Sequence, residues 1–170
     1  MNEPMKPMGP RRWQARIFRI VNVPMRLALR LPFPTPLSRQ LMLLSYRGRK
    51  SGKAYQQPVS YVPDGETLLT PGGGKWKLNL REGEPIHVHL RGRDVLARPE
   101  FVRDIDEVVR LLKLLAQVNP RVASFVPVIG AGGEVDRDRL KVAIEHGFSI
   151  IRWHVDGLPT SQVASAYSSH

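Results

Sequence analysis

Between Leu41 and Val102 the sequence is a succession of short β-prone runs cut apart by turn signals. This punctuation constrains the fold more than any other feature. Leu41–Tyr46 is a short apolar run, and a glycine-containing basic segment, 47–53, follows it. The strand-like run Tyr55–Val62 is closed by Pro63-Asp64-Gly65, a strong hairpin turn. Glu66–Thr70 pairs back, Pro71-Gly72-Gly73-Gly74 reads as a loop, and Lys75–Arg81 reads as a helical turn. Ile86–Leu90 alternates as a strand, Arg91-Gly92-Arg93-Asp94 is the next turn, and Val95–Val102 is the strand beyond it. Pro99 within that strand marks an edge or a bulge, because proline has no N–H to give to a ladder. Short runs joined by hairpins make a mostly antiparallel sheet, and closure into a small barrel removes its edges.

Helical signals flank this β region. Asp104 can N-cap a helix, with Glu107 in a capping-box-like position and Ile105, Val108, Val109, Leu112 and Leu115 as its buried stripe. Asn119-Pro120 ends it. A second helix runs from an Asp136 cap through Leu140, Ala143 and Ile144 to Gly147, and Phe148–His154 is the last strand. Residues 155–170 read as a disordered tail and 1–10 as a disordered start. In 11–31, Trp13, Ile17, Ile20 and Val21 share one side of a helical wheel, and Arg12, Arg16 and Arg19 share another. After Pro24, Leu27 and Leu31 face away from Arg26 and Arg30. An Arg-rich amphipathic segment fits a membrane-surface anchor, or a helix packed on its own domain with arginines outward. Pro32-Phe33-Pro34-Thr35-Pro36 is a stiff connector. The expected layout is thus 1–37 as disordered start, basic helix and connector, 38–154 as the compact domain, and 155–170 as tail. The fold class is α+β, mainly antiparallel β.

The 170-residue chain carries a net charge of +11, and its only acid before residue 64 is Glu3. Such an imbalance calls for an anionic partner: nucleic acid, an anionic membrane or a phosphorylated small molecule. Nucleic-acid binding is disfavoured, because aromatics make up 7% of the chain and do not interleave with the basic stretch. The absence of cysteine excludes disulfides, cysteine-held metals and thiol catalysis. No apolar run approaches the ~20 residues of a membrane span, and no secretory signal is evident, so a cytoplasmic location is expected.

Four cations, Arg47, Arg49, Lys50 and Lys53, fall within seven residues around Gly48 and Gly52. Glycines let a turn bring its N–H groups close to a ligand, and adjacent cations favour oxyanions, phosphate above all. The segment is either a phosphate cradle or a solvated hairpin loop. The ATP-binding P-loop is a poor match: the glycines are one residue too close, and Ala54 follows the lysine. Tyr55 and Tyr61, six apart on one expected strand, share a face and are candidate proton donors or ring partners, or ordinary strand packing. His87 and His89 share a strand face, where a solvated surface is the expected role and no metal site is evident. His146 beside Gly147 suits a helix C-terminus.

The order strand, Gly48-Arg49-Lys50-Ser51-Gly52, strand with Pro58, Pro-Asp-Gly hairpin, glycine loop, then Trp76-x-x-Asn79-Leu80 resembles the deazaflavin-dependent nitroreductases of actinobacteria. The likeness runs over roughly residues 38–154. It implies a split β-barrel of the FMN-binding-like type with inserted helices and an N-terminal amphipathic helix. It also implies a bound deazaflavin, coenzyme F-420, with FMN as the alternative cofactor of the same barrel. The implied chemistry is hydride transfer to an apolar, electron-poor acceptor such as a quinone, nitro compound or enone. Such chemistry resides in the cofactor and asks little acid–base machinery of the protein. The implied cofactor-binding set is Arg49, Lys50, Ser51, Gly52, Lys53, Tyr55, Pro58, Gly73, Lys75, Trp76 and Asn79. Residues 11–31 have family parallels as a membrane-associated segment, so an anionic membrane surface is an expected partner; either a monomer or a homodimer is compatible. Three departures stand out. Tyr55 occupies a position where the family often has arginine. The glycine loop is short, with Lys75 shifted. Asn119–Val128 contains no tyrosine, only Phe125, where the family places pocket tyrosines. These imply a weaker grip on the cofactor tail and a more apolar pocket. A barrel of this type that has lost its cofactor could hold a fatty acid or related lipid instead.

Overall fold

The computed structural model describes residues 27–32, 36–72, 74–119, 126, 128–129 and 134–157. The calls on residues 1–26, on Gly73, on Phe125 and on the tail beyond 157 lie outside these. Seven strands are present: β1 (Leu41–Arg47), β2 (Ala54–Ser60), β3 (Val62–Asp64), β4 (Thr67–Pro71), β5 (Ile86–Leu90), β6 (Arg93–Val102) and β7 (Ile150–Val155). They form one sheet in the order β2-β1-β5-β6-β7-β4-β3 with every pair antiparallel. The two outermost strands, β2 and β3, are consecutive in the chain and separated by Tyr61 alone. One bent run therefore lines both edges, and the sheet curls back towards itself.

Tyr61 is the pivot of that bend, where the sequence suggests one unbroken strand. Its side chain is 1% exposed, its N–H donates to the Gln40 carbonyl, and its hydroxyl donates to the Ser38 carbonyl at 2.9 Å. Arg91 Nε donates to the same hydroxyl at 2.9 Å. Arg91 and Gly92 both have positive φ, 49° and 81°, as a two-residue hairpin of matching twist requires. The arginine thus sits where Asn or Gly is usual, and its bond to Tyr61 compensates.

Alternation along the strands sorts the core into two layers. Met42, Leu44, Tyr61, Leu68, Val88, Ile151 and Trp153 fill the interior of the curled sheet. Their neighbours Leu69 and Ile150 point the other way and pack under helix α1 (Ile105–Val118), through Val108, Leu111, Leu112 and Leu115, and under Leu140 of helix α2 (Arg137–Glu145). Asp104 and Asp136 cap these helices by accepting from the N–H groups of Glu107 and Arg139. Glu107 does not complete a capping box: its carboxylate takes Arg110 on both oxygens and Arg152 of β7. Pro99 lies in the half of β6 that has left β5 and pairs only with β7, so its missing N–H interrupts no ladder.

Two boundaries differ from expectation. Val155 belongs to β7, and Asp156 pairs with Arg98, so the fold extends past His154. Residues 27–31 are also part of the domain. Leu29 is 2% exposed, whereas Leu27 is 69% exposed, so the buried residue lies between the two leucines expected to share an apolar face. One short turn has too few residues for a stripe. No helix among the described residues is long and apolar enough to cross a membrane.

Candidate functional site

The basic segment forms a tight turn between β1 and β2. Gly48 N–H donates to the Lys53 carbonyl and Gly52 N–H to the Gly48 carbonyl, and Gly52 takes a left-handed φ of 64°. Gly48 is required for a different reason: a Cβ there would lie 2.6 Å from Ser51 Oγ and 2.7 Å from the Tyr55 ring. The Tyr55 ring stacks on Tyr46 across the strand pair, with centroids 5.8 Å apart, and its hydroxyl is 3.3 Å from Ser51 Oγ. Tyr55 remains 42% exposed.

This turn is fastened to the one formed by Lys75–Asn79, a 3₁₀ turn that follows the glycine loop. Asn79 Oδ1 accepts the Arg49 backbone N–H at 3.0 Å, Arg49 Nη1 donates to the Leu78 carbonyl at 3.2 Å, and Asn79 Nδ2 donates to the Trp76 carbonyl at 3.1 Å. Trp76 is half-buried, packs against the interior layer and lies so close to Gly74 that a Cβ there would sit 2.4 Å from the indole. Segments 30 residues apart in sequence thus become one surface. Lys50, Lys53 and Lys75 are exposed, and Arg47, Arg49, Lys50, Lys53 and Lys75 have no acidic partner among the described residues. The ion pairs lie elsewhere, as in Arg152 with Glu100 and Glu107 or Arg103 with Glu82. Lys77 is different. It donates to the Gly147 carbonyl beyond α2, and burial, with Arg103 nearby, lowers its pKa.

Not all of the expected set converges here. The amides of Gly48, Arg49, Gly52 and Lys53 are already satisfied within the turns. A cradle built from backbone N–H groups is therefore reduced to Lys50 and Ser51 at the tip, which leaves the cationic side chains as the main groups available to an anion. Tyr61 is sealed in the core with its hydroxyl engaged, so it presents no proton to a ligand, whereas Tyr55 does reach the surface. Pro58 sits on the outer face of β2, opposite Leu43 of β1 and away from Trp76.

On that outer face, residues from neighbouring strands line up in rows. Pro58, Leu43 and His89 form one row, and Gln56, Ser45 and His87 form the next. The first row is covered. Leu43 is 1% exposed, and His89 has Nδ1 2.7 Å from Asp94 Oδ1 and Nε2 3.4 Å from the Leu31 carbonyl. His89 is accordingly not on a solvated face as expected; the chain at 27–31 lies over it. His87, one row on, is exposed. Beyond the edge of that cover a groove of about 700 Å³ opens, bordered by Arg30, Arg47, Tyr55 and Pro85. Sequence reasoning placed Arg30 in a separate helix and had no signal for Ser45 or Gln56, because only strand register brings them together. Among the described residues no group of three or more His, Asp or Glu side chains could hold a metal ion.

No protein-family model matches the chain, and no curated protein matches it. Among solved structures it is similar to a protein of unknown function from Agrobacterium tumefaciens, at 13% identity and a TM-score of 0.46. The match covers 79% of this chain and 54% of that one, so this chain spans about half the length of that protein.

Proposed function

We propose that this chain is a deazaflavin-dependent oxidoreductase of the split β-barrel type, passing a hydride from reduced coenzyme F-420 to an apolar, electron-poor acceptor such as a quinone, nitro compound or enone. One observation carries the reading: a turn whose four cations have no acidic partner among the described residues is bolted through Arg49 and Asn79 to the segment bearing Trp76. The residues present fit the cofactor. Lys50, Lys53 and the remaining donors of Arg49 supply charge-assisted contacts for its phosphate and acidic tail. Tyr55 and Trp76 offer flat apolar surface for a ring, and Asn79 sets the spacing between grip and ring. When bound, the coenzyme supplies the hydride. The chain's own residues bind, orient and shield, and Tyr55 is placed to offer a proton at its hydroxyl. We place the protein in the cytoplasm, with residues 11–31 as a peripheral contact to an anionic membrane face.

Titration of the full-length protein with coenzyme F-420 and, separately, FMN, followed by cofactor fluorescence, tests this reading. One of them is expected to bind in the micromolar range or tighter, and Lys50→Ala and Arg49→Ala are each expected to weaken binding about tenfold or more, as loss of a charged contact implies. Binding of neither cofactor, or unchanged affinity in both variants, overturns it.

A further inference from the structure

We propose that the outer-face groove across β2, β1 and β5 is a second binding site, for a small organic anion that joins a carboxylate or phosphoryl group to a flat apolar body. Its volume of about 700 Å³ lies within the range of small-molecule sites, roughly 300–1,000 Å³. Two guanidiniums, Arg30 and Arg47, line it. Both are held by neutral acceptors: Arg30 Nη2 donates to Gln56 Oε1 at 2.6 Å, and Arg47 Nη1 donates to the Gly52 carbonyl at 3.2 Å. Neither has a carboxylate partner among the described residues, so the charge of each is directed without being neutralised. Gln56 is oriented in turn by donating from Nε2 to Ser45 Oγ at 3.4 Å. The chain Arg30, Gln56, Ser45 therefore fixes one wall. His87, in register with Ser45, adds a ring nitrogen from the neighbouring strand.

One acid lines the groove, Glu84, and Arg81 stands 3.6 Å from its carboxylate, which limits its repulsion of an anion. The apolar part of the lining comes from Pro85 and from Tyr46, Tyr55 and Ile86, which stand at strand positions alternating to the interior face and border the groove at its edge. Two guanidiniums beside this apolar edge suit a planar anion better than a bare inorganic ion, since guanidinium binds oxyanions in plane and stacks on rings. The groove borders the cofactor surface at Tyr55 and Arg47, but Arg30, Gln56, Ser45 and His87 lie outside the Arg49–Lys53 grip, so the two sites can be tested separately. It also gives residues 27–31 a role in ligand binding.

The test uses the full-length ¹⁵N-labelled protein without cofactor, with benzoate and phenyl phosphate as probes up to 10 mM. Saturable shifts at the amides of Ser45, Gln56 and His87 are expected with at least one probe, and the response of each distinguishes a carboxylate site from a phosphoryl site. The double variant Arg30→Gln, Arg47→Gln is expected to weaken binding about tenfold or more, while Arg49→Gln, Lys50→Gln leaves it within about twofold. The spectrum of each variant establishes that the fold is intact. Shifts confined to residues 49–53, loss of binding only in the Arg49, Lys50 variant, or no saturable shift with either probe overturns the proposal. None of these outcomes bears on coenzyme F-420 binding, which the separate fluorescence titration decides.

Discussion

Replacing Asn79 by alanine removes the bolt between the basic turn and the Trp76 segment. Two bonds are lost, one from the Arg49 N–H at 3.0 Å and one to the Trp76 carbonyl at 3.1 Å. Each neutral hydrogen bond contributes about 0.5–1.5 kcal/mol net. The site is half-buried, so water can partly replace both, and the expected loss is about 1–2 kcal/mol. Arg49→Ala differs in kind. The backbone N–H stays on Asn79, and only the exposed guanidinium contact to the Leu78 carbonyl disappears, which costs about 0.5 kcal/mol or less. Urea unfolding followed by tryptophan fluorescence reads both, and with a slope of about 1–3 kcal/mol per molar the Asn79 variant should lose roughly 0.3–2 M in midpoint. Cofactor affinity should rank the other way, with Arg49→Ala the more damaging because it deletes a charge. An Asn79→Ala midpoint within about 0.2 M of the unchanged protein would show that these bonds do not join the two turns. The same ranking in both assays would show that fastening and gripping are not separate roles.

Two further outcomes follow from the geometry. Gly48→Ala should cost about 1–3 kcal/mol and disturb the near-ultraviolet circular dichroism of the stacked Tyr46–Tyr55 pair, since the new Cβ would meet the Tyr55 ring at 2.7 Å. Gly52→Ala, with φ of 64° but open space around it, should cost about 1–2 kcal/mol and leave the tyrosine signal intact; an equal optical effect of both would contradict the packing described. For Glu107, the hydrogen bonds from Arg110, reinforced by Arg152, hold the carboxyl at about 2 against an ordinary value of 4.5. A carboxyl depressed in the folded state contributes stability that is complete above its unfolded value and lost as pH falls through the window from about 4.5 to 2. Urea midpoints at pH 7 and pH 3 should therefore converge more in Glu107→Gln than in the unchanged protein, and parallel losses would refute the ion network's part in acid stability.

Features set by a few adjacent residues were legible in the sequence. Pro63-Asp64-Gly65 closes a hairpin, Asp104 and Asp136 cap their helices, and Gly52 turns the basic segment, because each acts on backbone within four residues. Strand alternation was readable in Ile86–Leu90, which put His87 and His89 on one face before what covers it was known. What could not be read were consequences of closure. Tyr61 looked like a strand residue continuous with Tyr55, yet it is the bend that lets one run serve both edges, and that depends on Ser38 and Arg91 arriving from elsewhere. Leu29 is buried rather than Leu27 or Leu31, which the helical wheel had put on the apolar face.

The two surfaces proposed to bind anions show the same division. Arg49, Lys50 and Lys53 announce themselves by spacing, since a hairpin turn holds its own cations together. The groove residues come from four separate stretches, and none points to the others in its own context: an arginine after an apolar turn, a serine and a glutamine on adjacent strands, a histidine in an alternating run. Register makes them a site. Ser45 stands opposite Gln56 on one side and His87 on the other, so a slip of one residue in either pairing would turn that row to the interior. The interior layer forbids the slip, because it would expose Leu44 and Val88, which are wholly buried. The apolar core thus fixes the polar face behind it, and the groove exists because Met42, Leu44 and Val88 must point the other way.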